Sequence, residues 1–302
     1  MPKLFIMIGL SGSGKSTYAK QIAEEENAVI LSSDAIRFEM LGSEDNQDKN
    51  AEVFQELNKR LILNLKNGNN VVYDATNLSS RRRKSLINNL KIESLEVYAK
   101  VVNTLIELCI ERDSGRDRSV GVGVIMSQRM KFNFPLDNEG FNGIDLLLYD
   151  KKGHNINRLY FLNEMSGFEQ DNKNHSMDLL HHCTEASVLY IENSDVFLRE
   201  IEVALLLHDI GKLYTKSFKN SKGETSSDAH YYGHENVSAY EYMTKLIREN
   251  DKKDFTFTVI RLINYHMLPY SYKDNKQKFI KKVGEELYEM LMVVNKYDKM
   301  AH

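Results

Sequence analysis

"KLFIMIGLSGSGKSTYAKQIAEEE", residues 3–26, runs an apolar stretch straight into a glycine loop and then into a helical pattern. Within it Gly9-Leu10-Ser11-Gly12-Ser13-Gly14-Lys15-Ser16 fits the eight-position phosphate-binding loop, in the strand-to-helix context that the loop requires. Glycines let backbone N–H groups turn inward, and the helix that follows presents its positive end. Lys15 can reach terminal phosphates, and the Ser16 hydroxyl can hold Mg²⁺. Gly9, Ser11, Gly12, Ser13, Gly14, Lys15, Ser16 and Thr17 are therefore the expected cradle for ATP and Mg²⁺.

Outward from this loop the pattern alternates. Strands are expected at "AVILSS", "NNVVYDAT" and "SLEVYAKVV", with helices at "NAEVFQELNKRLILNLKNG" and "SSRRRKSLINNLK" between them. Such βαβα order predicts an α/β P-loop kinase domain over residues 1–152, a parallel sheet with helices on both faces. Residues 153–172, rich in charge, Asn and Gly, read as a crossing segment. From 173 to 302 helical periodicity replaces strands, so an all-α domain is expected there.

Bulk composition narrows the classes. Apolar content of 42% with 27% charged residues describes a soluble globular chain, and no apolar run is long enough to span a bilayer. The N-terminal run leads into a glycine loop rather than a cleavage site, so no signal peptide is expected, and Cys109 and Cys183 lack metal or redox spacing. A cytoplasmic setting with no membrane partner follows. A net charge of −3 argues against a broad nucleic-acid footprint, while gripping a strand end needs less. The basic stretches Arg81-Arg82-Arg83-Lys84 and Arg112, Arg116, Arg118 read by default as solvated faces.

A cradle alone does not distinguish a kinase from a switch. The second strand ends "LSSDAIR", which puts Asp34 at the carboxyl edge of the sheet and Arg37 one turn on. A carboxylate there can accept the proton of an attacking hydroxyl, and an arginine beside it can fork onto an acceptor phosphate; an N-capping aspartate beside a surface arginine fits the local sequence equally. With "GLSGSGKST", "YDATNLSSRRR" and "CIERDSGRDRSVGVGVI", these residues resemble the kinase domain of phage-type 5′-hydroxyl polynucleotide kinases over about the first 140 residues. The resemblance implies Asp34 as general base, Arg37 on the phosphate next to the reacting hydroxyl, Arg112 and Arg116 as lid arginines on the nucleotide phosphates, and Asp74 near the acceptor.

A second chemistry lies in "ALLLHDIGK", residues 204–212, where an apolar run delivers His208 and Asp209 side by side. His182 upstream and Asp298 in the last helical segment could converge with them on one divalent ion inside a bundle. "NHSMDLLHHCTEA", "ALLLHDIGKLYTK" and "YYGHENVSA" resemble the HD phosphohydrolase superfamily, with its ordered H…HD…D pattern, and especially the HD domains of bacterial tRNA nucleotidyltransferases and RNA-repair proteins. That resemblance implies His182, His208, Asp209 and Asp298 as ligands of a divalent transition metal such as Mn²⁺, Ni²⁺, Co²⁺ or Fe²⁺. It implies Lys212 on a substrate phosphate, and His234 and His266 on a second metal or on that phosphate. His175 and His181 are weaker candidates, His181 reading as a hydrogen-bonded core residue.

Together the two chemistries suit broken RNA or DNA ends, 5′-hydroxyl on one side and 2′,3′-cyclic or 3′-phosphate on the other, with an RNA ligase acting afterwards. The alternatives are a small-molecule or nucleoside kinase fused to a nucleotide phosphohydrolase, and a nucleotide-sensing regulator without turnover. Oligomeric state is not legible.

Overall fold

The computed structural model describes residues 1–43, 48–116, 118–148, 158–173, 177–247 and 250–301. The chain divides into two compact units, Met1–Gln128 with Glu139–Tyr149, and Arg129–Asn138 with Asp150–His302.

The first unit is built on β1 (Lys3–Ile8), β2 (Ala28–Ser32), β3 (Asn70–Asp74), β4 (Glu96–Asn103) and β5 (Gly143–Leu148). They form a five-stranded sheet in the order β2-β3-β1-β4-β5, parallel throughout. Helices α1 (Lys15–Glu25), α2 (Ser33–Leu41), α3 (Asn50–Lys66), α4 (Ser80–Leu90), α5 (Ile106–Ser114) and α6 (Val122–Arg129) connect the strands or follow them. The near-continuous apolar run of β1 follows from cover on both faces: Phe5 and Met7 on one pack with Ala19 and Ile22 of α1, Val72 and Val102, and Leu4, Ile6 and Ile8 on the other are fully buried. Register pairs Ser32 with Asp74, so the ends of β2 and β3 lie side by side at the carboxyl edge, where ligands of such sheets collect. β5, whose "GIDLLL" follows polar loop sequence, adds a strand to the three-strand-plus-β1 expectation.

The second unit holds α7 (Arg158–Met165), α8 (Leu179–Asn193), α9 (Arg199–Leu207), α10 (Lys212–Thr215), α11 (His234–Glu241), α12 (Lys253–Tyr265), α13 (Leu268–Ser271), α14 (Lys276–Val283) and α15 (Glu285–Met300). A π-helical turn, Tyr242–Leu246, continues α11. Its core is read off helical spacing: Leu179, Cys183, Ala186 and Tyr190 of α8 are buried, as are Val259, Ile260 and Ile263 of α12 and Leu291 and Val294 of α15. The helical expectation gains one hairpin, β6 (Ser217–Lys219) against β7 (Thr225–His230), whose polar sequence carries no strand-like apolar alternation. Part of the expected crossing segment is helical, since α7 buries Phe161 and Met165.

Residues 129–138 serve this helical unit. Phe132, Phe134 and Leu136 are buried, the Phe134 N–H donates to Asn264 Oδ1 at 2.7 Å, and the Tyr265 hydroxyl donates to the Phe134 carbonyl at 2.7 Å. Arg129 pairs with Glu241 at 2.7 Å, both buried.

Candidate active sites

In the first unit the phosphate loop follows the central strand. Gly14 at φ +91° starts α1, and Gly12 at φ +78° packs so tightly that a Cβ there would lie 2.1 Å from the Cys109 carbonyl oxygen. No other residue fits that position. Lys15 folds back, donating to the Leu10 carbonyl at 2.7 Å. Burial pulls the Lys15 ammonium below its ordinary pKa, with the Arg116 charge adding to the effect and Asp74 opposing it. Asp74, buried at the end of β3, is pushed up by burial against the pull of Lys15 and of a hydrogen bond from Ser16. The loop, Asp74 and Arg116 thus share one electrostatic neighbourhood.

α2 starts with Ser32, whose side chain caps Ala35 N at 3.4 Å, so Asp34 in the first turn is not the cap. Its carboxylate is 56% exposed, and Arg37 Nη1 donates to Oδ1 at 2.8 Å while Nη2 donates to Asn50 Oδ1 at 2.9 Å. Arg118 Nη1 lies 4.0 Å from Asp34 Oδ2. The default reading of Arg81-Arg82-Arg83-Lys84 as a solvated face fails at Arg83. That side chain is buried in a two-pronged pair with Glu139, 2.8 Å on each prong, and donates to the Asn77 carbonyl at 2.9 Å.

In the second unit the HD pair lies where α9 ends. Gly211 behind it admits no side chain, because a Cβ would sit 2.2 Å from the His234 carbonyl at the start of α11. Four histidines each direct Nδ1 at a backbone carbonyl: His182 to Ala301 at 3.3 Å, His208 to Leu205 at 2.8 Å, His234 to Tyr231 at 2.7 Å and His266 to Ile263 at 2.8 Å. That arrangement orients the rings and turns every Nε2 inward, as in metal sites. His182 Nε2 lies 3.2 Å from Asp298 Oδ1 and 3.6 Å from Asp209 Oδ2; His208 Nε2 lies 3.3 and 3.4 Å from the same two atoms. Asp209 Oδ1 faces the other way, 3.0 Å from His234 Nε2 and 3.7 Å from His266 Nε2. Two metal-competent sets result, His182-His208-Asp209 and Asp209-His234-His266, sharing one carboxylate.

Charge in this cluster is concentrated and buried. Burial would raise the Asp209 carboxyl, but His208 and Lys212 prevail and hold it well below the carboxylate range. Asp298 is likewise depressed despite burial, by hydrogen bonds from His182 and His208. His208 is held above the ordinary imidazole value by Asp209 against the opposing effect of burial, whereas burial drives His266 down to about 3. His208 Nε2 is buried and faces the Asp298 and Asp209 carboxylates at 3.3 and 3.4 Å, the surroundings of a ligand atom beside an ion. Lys212 Nζ sits 2.7 Å from Asp209 Oδ2 and donates to Gln170 Oε1 at 2.8 Å. His181 corrects its core reading: it is 77% exposed and bonds Asp178, the N-cap of α8, at 2.8 Å. His175 lies outside the described residues.

Sequence reading missed Gln170, Tyr270 and Arg118. Gln170 is buried and holds Lys212 from 42 residues away, with no local signal. The Tyr270 hydroxyl donates to Asp298 Oδ2 at 3.3 Å, and only its place four residues after His266 hinted at the site.

The fold and these two clusters define a chain in two parts, a domain with the P-loop kinase fold followed by a helical HD domain. Residues 4–135 match the family model of the AAA domain, and residues 174–301 match that of the HD domain. Among solved structures, a chain of the Pnkp1/Rnl/Hen1 RNA repair complex shares 27% identity over 44% of this chain and 47% of that one, with a TM-score of 0.37. This chain thus spans about half the length of that relative. A putative kinase from Chloroflexus aurantiacus shares 21% identity over 49% and 85% of the two chains (TM-score 0.40), and a gluconokinase from Sinorhizobium meliloti 19% over 50% and 84% (TM-score 0.36). No curated protein matches the chain. Among the described residues no helix is long and apolar enough to cross a membrane.

Proposed function

We propose that the chain heals broken RNA ends in the cytoplasm, phosphorylating a 5′-hydroxyl with ATP in its first unit and hydrolysing a 2′,3′-cyclic or 3′-phosphate in its second. The observation that carries the reading is the pairing of Asp34 with Arg37 at the sheet edge that also holds the phosphate loop and Asp74. A carboxylate held on one oxygen by an arginine keeps its other oxygen for an incoming hydroxyl, and the arginine suits an acceptor that carries phosphate beside that hydroxyl. A polynucleotide end meets that description and a free nucleoside does not.

In the first unit Ser16 and Asp74 would hold Mg²⁺ beside the ATP phosphates, Asp34 would take the hydroxyl proton, and Lys15, Arg112 and Arg116 would face the charge that spreads over the transferred oxygens. In the second, the residues present fit divalent metal: His182, His208, Asp209 and Asp298 would hold one ion, and Asp209, His234 and His266 another. Metal there supplies an activated water and neutralises phosphate charge. Lys212, held by Gln170, sets the charge at Asp209 and adjoins the place a phosphate would occupy. An RNA ligase would then use the healed ends.

The test is an RNA carrying a 5′-hydroxyl and a 2′,3′-cyclic phosphate, incubated with ATP and Mg²⁺, Mn²⁺, Ni²⁺ or Co²⁺, with both termini resolved. Asp34→Ala should abolish 5′-phosphorylation alone and Asp298→Ala the 3′-end reaction alone. Transfer to nucleosides but not to oligonucleotides would refute the polynucleotide assignment.

A further inference from the structure

The stretch between α5 and α6 carries Arg116 and Arg118, and two side chains outside the expected site hold it. Asp113, 1% exposed on the last turn of α5, receives three donors on one carboxylate. The Ser119 hydroxyl donates to Oδ2 at 2.6 Å, Gly121 N to Oδ2 at 3.0 Å and Val120 N to Oδ1 at 3.2 Å. These bonds tie the end of α5 to the residues just before α6. Hydrogen bonds to a carboxylate are the strong kind, and three on one group close the connection into a ring. At the other end of α6, Gln128 makes a reciprocal pair with the phosphate loop: Ser11 N donates to Gln128 Oε1 at 2.8 Å and Gln128 Nε2 donates to Ser11 Oγ at 3.0 Å. The start of α5 and the residues leading into it are seated on the loop as well, through the Gly12–Cys109 contact and the Thr104 hydroxyl on the Ser13 carbonyl at 2.8 Å.

We propose that Asp113 and Gln128 are two clasps that preset the arginine-bearing lid over the phosphate loop, which makes both of them positioning residues for the ATP phosphates. Neither touches the reacting atoms. Their effect passes through Arg116, Arg118 and Ser11, whose places are fixed before ATP arrives, so that binding need not order them. Arg116, whose charge is felt at Lys15, and Arg118, 4.0 Å from Asp34, are the groups that lose their places when the clasps go. The inference rests on reading the first unit as an ATP-using phosphotransferase.

The experiment compares the full chain with Asp113→Ala, Asp113→Asn and Gln128→Ala. ATP affinity is measured by calorimetry, KM and kcat by transfer to a 5′-hydroxyl oligonucleotide, and lid order by the rate of tryptic cleavage at Arg116 and Arg118 with and without ATP. Expected for Asp113→Ala and Gln128→Ala is a rise of about tenfold in KM and Kd for ATP. For Asp113→Ala, cleavage at Arg116 and Arg118 should also be faster. Asp113→Asn, which keeps an acceptor oxygen, should recover part of both losses. Gln128→Ala guards against a folding defect at the buried aspartate, since it removes the other clasp from a half-buried position. A wild-type chain that binds ATP while both alanine variants bind it within twofold, with unchanged cleavage, overturns the clasps. A wild-type chain that binds no ATP overturns the reading beneath them, and the clasps with it.

Discussion

Asp209→Asn tests the shared carboxylate most directly. Asp209 is 3% exposed; Oδ2 lies 2.7 Å from Lys212 and faces His182 and His208, while Oδ1 faces His234 and His266. One uncharged amide in its place therefore weakens both metal sets, whereas His266→Ala touches one. By metal analysis of protein dialysed against Mn²⁺, the wild type should hold two ions per chain, His266→Ala one and Asp209→Asn none. Metal-free stability should change as well, because breaking a buried charge pair from one side costs about 3–5 kcal/mol. At about 2–4 °C per kcal/mol for a unit of this size, the melting temperature in chelator should fall by at least roughly 6 °C. Saturating Mn²⁺ at a hundredfold over Kd should add about 2.7 kcal/mol per bound ion to the wild type and nothing to the variant. Two ions retained by Asp209→Asn, or both lost from His266→Ala, would refute the bridging role.

Arg83→Met should destabilise the first unit by about 3–5 kcal/mol in urea unfolding, because it leaves Glu139 charged and buried; Arg83→Met with Glu139→Leu should cost clearly less than the two single changes summed. Gly12→Ala should abolish ATP binding in calorimetry, since the new methyl has no space against the Cys109 carbonyl. Asp34→Ala should leave ATP affinity within about threefold while lowering kcat at least about a hundredfold, the split expected when a base is lost and the phosphate cradle is intact. Burial alone would raise the Asp113 carboxyl, but bonds from Ser119, Gly121 and Val120 depress it. The stability it contributes is therefore present above the unfolded carboxylate value of about 3.9 and is lost as pH falls through the lower folded value. The melting-temperature gap between wild type and Asp113→Asn should hold steady from pH 6 to 8 and shrink in acid below about pH 4.

What could be read in the sequence was what is encoded locally. The phosphate loop is eight consecutive positions whose chemistry needs only a strand before and a helix after, so Lys15 and Ser16 could be placed without coordinates. The HD cluster was legible for a different reason: His208 and Asp209 are adjacent, and a long apolar run had to be bringing them into a core. Arg83 could not be read, because its meaning lies in Glu139, 56 residues on, and a run of basic residues looks the same whether or not one of them is buried. Gln170 and Gln128 are silent for the same reason, their partners being 42 and 117 residues away. β5 and the β6–β7 hairpin escaped because neither shows the alternation that marks a half-buried strand.

The path of residues 129–138 bears on how such a chain can be inherited. Having finished α6, the chain lends Phe132, Phe134 and Leu136 to the helical core, returns to lay down the edge strand β5, and only then departs for good. No single crossover separates the two modules: a break after residue 149 strands an aromatic strap on the wrong fragment, and a break before 129 takes the fifth strand with it. Recombination could pass this pair on as one cassette far more readily than it could trade either half.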